Sequence, residues 1–174
     1  MPFVLLVAAS FAELPNVTVT YYDVAGRDIA AIHKAIAKAA PKDPETQHVL
    51  PATSSWNVGI AVKSVTAGKR CQITGATLTF RGSATMPRLR PDKDRPVPVA
   101  TAFAAYAAKL EARQAAQLAF AYERLSSVEQ AIRGSRCDKS EAAADAALGK
   151  IQAAERAAFK PDEQSQPKLE ELKD

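Results

Sequence analysis

Apolar and polar residues alternate strictly over residues 17–22, with Val17, Val19 and Tyr21 on one face and Thr18, Thr20 and Tyr22 on the other. A period of two in β-branched and aromatic residues predicts a strand. Gly26 breaks it. From Asp28 the period lengthens, and Ile29, Ile32, His33, Ile36 and Ala40 fall at helical intervals. That spacing predicts a helix capped by Asp28 and stopped by Pro41. Pro41, Pro44 and Pro51 mark an irregular loop. Alternation returns with Trp56, Val58, Ile60 and Val62, a second strand, and Ala67-Gly68-Lys69 reads as a turn. The next strand starts at Arg70 and changes parity at Gly75, with Cys71 and Ile73 before it and Ala76, Leu78 and Phe80 after it. One extra residue at a glycine predicts a β-bulge, or two strands meeting at a bend. A further short strand is expected over 84–86.

Residues 87–98 hold four prolines and alternating charge, which predicts a loop between a β-rich front half and a helical back half. Beyond it, Phe103, Tyr106, Leu110, Gln114, Leu118, Ala121, Leu125, Val128 and Ile132 keep helical spacing. The pattern fits one long helix or two with a kink near Ser126-Ser127. Gly134 supplies a stop, and Asp138 with Glu141 a capping-box-like start for a second helix ending near Phe159. A short link between two helices implies a helical hairpin. The expected fold is therefore α+β: a small, mainly antiparallel sheet with one packed helix, then a long C-terminal helical hairpin. Trp56, Phe80, Ile29, Ile32, Ile36, Leu110 and Leu118 are the expected core.

Composition narrows the picture. The 174 residues suit one domain, 13–159, followed by a polar tail over 160–174 expected to be mobile. A net charge of +4 is mild, and Arg88, Arg90, Lys93 and Arg95 are interleaved with Asp92 and Asp94, so a solvated loop is expected there and no nucleic-acid partner. Residues 1–12 carry an apolar run of signal-peptide length ending in Ser10-Phe11-Ala12, but no basic n-region. They read as a signal peptide, whole or truncated, or as a buried first strand; the run is too short to span a membrane. Cys71 and Cys137 are far apart and lack a C-x-x-C partner. They form a disulfide if the chain is exported and remain buried thiols in a reducing compartment.

The run Tyr21-Tyr22-Asp23-Val24-Ala25-Gly26, then Trp56-Asn57-Val58, Cys71-Gln72-Ile73 and Met86-Pro87-Arg88, resembles a bacterial family of unknown function, DUF922. Its members are predicted to be secreted zinc-dependent proteases. In that family an aromatic residue, a tyrosine and a leucine lead into a helix bearing His-Glu-x-x-His, and a cysteine follows later. Phe103, Tyr106, Leu110 and Cys137 match that order here, and the resemblance covers roughly residues 17–148. It implies a zincin-like scaffold and a periplasmic or secreted location.

The same resemblance puts Arg113, Gln114 and Gln117 where the family has His, Glu and His. Histidines at i and i+4 reach one zinc from one helix face while the glutamate activates water. Arginine repels a cation, and a glutamine side chain is a poor zinc ligand and no base. No other register restores the motif, because the only histidines are His33 and His48, both upstream. His33 is expected to be a partly buried core residue. A metal site built on His48, Glu45 and a distant carboxylate is the alternative for an active peptidase. Glu111, Glu123, Glu129, Glu141 and Asp145 read as surface ion-pairing groups. No nucleophile elbow or phosphate-binding loop is present. The expectation is a catalytically inactive relative, without metal or cofactor, that binds an unidentified protein or peptide through Arg113, Gln114 and Gln117. Its rivals are an unconventional metallopeptidase and an envelope structural protein.

Overall fold

The computed structural model describes residues 10–44, 47–68, 70–159, 167 and 169. It is mixed α/β, with a three-stranded sheet and four α-helices among those residues. Strand β1 (Val17–Val24) leads through α1 (Ile29–Ala39) to β2 (Thr53–Ala67) and β3 (Arg70–Leu89). Helices α2 (Val97–Glu123), α3 (Leu125–Arg133) and α4 (Ser140–Ala158) follow. The sheet order is β1-β3-β2, with β3 parallel to β1 and antiparallel to β2.

β3 is one strand of 20 residues and absorbs the short strand expected over 84–86. The parity change is a bulge: Lys63 pairs with Gly75 and Ser64 with Ile73, so Thr74 is the extra residue, one position before the glycine. Pro87 is tolerated in this central strand because β2 pairs no further than Thr53 with Thr85. Beyond that point β3 has β1 as its one neighbour, so a missing N–H costs little. Here the strict alternation of β1 fails as well. Met86 and Pro87 are both buried, and opposite them Tyr21 is 55% exposed while Tyr22 turns inward. The Arg88 guanidinium lies 5.7 Å from the centre of the Tyr21 ring.

The expectation of one helix on the sheet needs correction, since α2 and α3 both pack on β3 and α1 packs on β1. Two apolar clusters result. Val24, Ile32, Ile36, Met86, Phe103, Tyr106 and Leu110 form the first, and Phe80, Leu118, Leu125, Val128, Ile132 and Ile151 the second. The other sheet face is polar and open, with Thr18, Thr20, Thr77, Thr79, Arg81 and Ser83 exposed. Ile29 and Trp56, expected in the core, are half-buried. His33 is exposed, because it sits one position past the buried Ile32 on the solvent side of α1.

The long helix breaks at Arg124, two residues before the serine pair. Asp138 does not cap α4: it lies in a 3-10 turn, Cys137–Lys139, and takes two hydrogen bonds from Arg136 instead. α4 packs more extensively on α3 than on α2. Cys71, at the start of β3, is disulfide-bonded to Cys137 between α3 and α4. In the basic stretch Arg88 and Arg90 both pair with Asp23, while Asp92 and Asp94 hold Arg27. Glu129 pairs with Arg133 one turn on, as expected of a surface carboxylate. Residues 1–9 of the candidate export segment lie outside the described residues, whereas Phe11 packs against both clusters. Of the tail expected over 160–174, residues 160–166, 168 and 170–174 lie outside the described residues, and Leu169 is buried in the first cluster. Among the described residues no helix is long and apolar enough to cross a membrane.

Candidate functional site

Where α2 crosses the start of β2, a cleft of about 630 Å³ opens between these elements and the C-terminal half of α4. Arg113, Gln114 and Gln117 of α2 all line it, facing residues 52–56 on one side and Gln152, Glu155, Arg156 and Phe159 on the other. Asp43, Pro44 and Leu50 border it from the loop before β2. The i, i+4 spacing of Arg113 and Gln117 puts both on one helix face, as the sequence required.

Gln114 is buried between α2 and β2. Its Oε1 accepts from Ser54 Oγ at 2.8 Å, and its Nε2 donates to the Ala52 carbonyl at 3.4 Å. Gln117 Nε2 donates to Glu155 Oε1 at 2.7 Å, and Trp56 Nε1 donates to Glu155 Oε2 at 2.6 Å. Both oxygens of a carboxylate that is only 8% exposed are therefore bonded, to α2 through one and to β2 through the other. The cleft floor is a hydrogen-bonded seam joining three elements.

This donor set does not fit zinc. The amides of Gln114 and Gln117 are committed to framework partners, and Arg113 brings a permanent positive charge. Among the described residues, no three histidines, cysteines or acidic side chains come together in a geometry that could hold a metal ion. The alternative centred on His48 and Glu45 gains no support: His48 is exposed, and Glu45 lies outside the described residues.

Sequence reasoning brought Arg113, Gln114 and Gln117 to one cleft but missed Glu155, Ser54 and the polar role of Trp56. Glu155 had a signal. It follows Ala144, Leu148 and Ile151 at spacings of four, three and four, so it is a carboxylate in the apolar stripe of α4. The expected core tryptophan is half-buried, and its indole N–H donates to that carboxylate. Two tyrosines lie nearby in the first cluster. Burial, and then the neighbouring Tyr106, pushes the Tyr22 hydroxyl well above its ordinary range, and burial pushes Tyr106 up to about 12. Tyr22 donates to the Pro51 carbonyl at 2.7 Å, which ties β1 to the segment leading into the cleft wall.

A family model described as "Bacterial protein of unknown function (DUF922)" matches residues 19–160, and the chain belongs to that family. No curated protein and no solved structure matches it.

Proposed function

We propose that this DUF922 protein is a catalytically inactive relative of secreted zinc peptidases and binds a protein or peptide segment in the cleft between α2, β2 and α4. One observation carries the reading: the three positions that the resemblance assigns to chemistry line an open cleft, yet two of them are amides bonded into its floor. A glutamine in that network neither ligates zinc well nor activates water. What the cleft offers instead is recognition chemistry: the Arg113 and Arg156 guanidinium groups, the Gln152 amide and an aromatic edge at Phe159. A guanidinium matches a carboxylate in two parallel hydrogen bonds, so an acidic group is the fitting guest. The disulfide supports an exported, periplasmic location, where such a bond persists.

The test is recovery of a crosslinked partner from cells producing the wild-type chain or Arg113→Glu. Loss of the partner in a folded variant is expected. Unchanged recovery would move binding away from the cleft. Near-stoichiometric zinc in the purified protein, with chelator-sensitive cleavage of casein, would overturn the reading and restore a peptidase.

A further inference from the structure

Resting on that reading of the cleft, we infer that its occupant is an extended peptide which adds to the outer edge of β2 as a new strand of the sheet. β2 is an edge strand in the order β1-β3-β2. Along such an edge, every second residue directs its backbone N–H and C=O away from the sheet. Side chains on a strand alternate between faces, and they do so here: Ser54 and Trp56 bond toward the helices, whereas Ser55 Oγ meets Ser83 Oγ at 2.8 Å on the open face. Thr53, Ser54, Ser55 and Trp56 nevertheless all line one cleft. Four consecutive residues of a strand share one surface only through their backbone edge. The cleft therefore presents main-chain donors and acceptors to its guest.

The helical wall opposite supplies Arg113, Gln152 and Arg156. A strand added to β2 directs alternate side chains toward that wall, and an acidic one meets the guanidinium groups. Both oxygens of Glu155 are held by Trp56 and Gln117, so that carboxylate is already engaged within the floor. Four strand residues at roughly 3.4 Å each span about 14 Å, enough to fix a short segment by its backbone with one or two side chains selected. Main-chain pairing accepts many sequences, and the arginines narrow the choice to acidic ones.

The probe is a phage-displayed library of random peptides, selected on the folded full chain. Selected peptides are then synthesised and titrated against the fluorescence of Trp56, the chain's single tryptophan. Each peptide is also made with one backbone nitrogen methylated at a time. The expected result is a change in Trp56 emission and an acidic residue in the selected peptides. Methylation at alternate positions should weaken binding by about fivefold or more, with little effect between them. Binding that perturbs Trp56 and is lost in Arg113→Glu, yet ignores methylation at every position, would overturn strand addition and leave the cleft reading standing. Failure to select any peptide, or binding that neither Trp56 nor Arg113→Glu senses, would remove both.

Discussion

Glu155 is the residue on which the cleft floor turns, and its truncation gives a calculable result. In Glu155→Ala, the Trp56 indole N–H and the Gln117 amide both lose their acceptor. A buried donor left without a partner costs about 1–3 kcal/mol. Two effects oppose the sum. Removing a carboxylate that is only 8% exposed relieves its own desolvation, and the open cleft admits water to the freed donors. The net loss should be about 2 kcal/mol. Glu155→Gln separates charge from geometry. Its carboxamide oxygen still accepts from Trp56, and its NH2 group donates to Gln117 once that amide turns over. Both bonds survive as neutral ones, so the cost should stay below about 1 kcal/mol. Urea unfolding followed by Trp56 fluorescence measures both variants, and an unchanged slope confirms that stability alone has moved. An alanine variant within about 0.5 kcal/mol of wild type, or a glutamine variant as unstable as alanine, would refute the account.

Replacing Cys71 and Cys137 together by serine opens a covalent connection across 66 residues, for which the chain-entropy model gives a loss of about 4 kcal/mol. Thermal unfolding of the double variant checks it, and an unchanged midpoint would contradict it. Tyr106, pushed up to about 12, must stay protonated in the fold, so its contribution is complete below pH ~10 and falls by up to about 1.4 kcal/mol per pH unit from there to pH ~12. Tyr22 shifts in the same direction; alkaline urea melts should weaken over this window and Tyr106→Phe melts less so. Gln114→Glu turns a carboxylate oxygen toward the Ala52 carbonyl, where an N–H donates now. Its raised pKa makes the variant nearly as stable as wild type at pH ~4 and about 1–3 kcal/mol weaker at pH ~7, by urea unfolding at both pH values.

Local period and punctuation carried much of the fold. The Asp28 side chain accepts from the Ala31 N–H as an N-cap must, and Ile32, Ile36, Leu110 and Leu118 are buried at the positions their spacing predicted. The errors share a cause: neighbours in space overrode sequence-local rules. Tyr21 lost its alternation because β3 changes phase beside it, and Asp138 left its capping role for a closer guanidinium. Leu169 escaped notice because two leucines in a polar tail set no clear period, and its place is given only by the first cluster, which draws on β1, α1, β3 and α2. For the cleft, α2 was legible because its face is set by a spacing of four. The opposite walls come from residues about sixty positions before Gln114 and about forty after Gln117, which no local pattern joins.

The amide at position 114 is matched to the polar atoms around it. Its surroundings ask for an acceptor toward the Ser54 hydroxyl and a donor toward the Ala52 carbonyl. Glutamine supplies both from one planar group, whereas glutamate supplies only acceptors. Gln117 is similarly engaged, since the Glu155 carboxylate takes its N–H on one oxygen and the Trp56 indole on the other. The α2 face that bears Gln114 and Gln117 is thus a seam, holding α2 to β2 and α4. For the binding we propose, a seam beneath an edge strand is an advantage, because the wall that would meet a peptide is fixed beforehand.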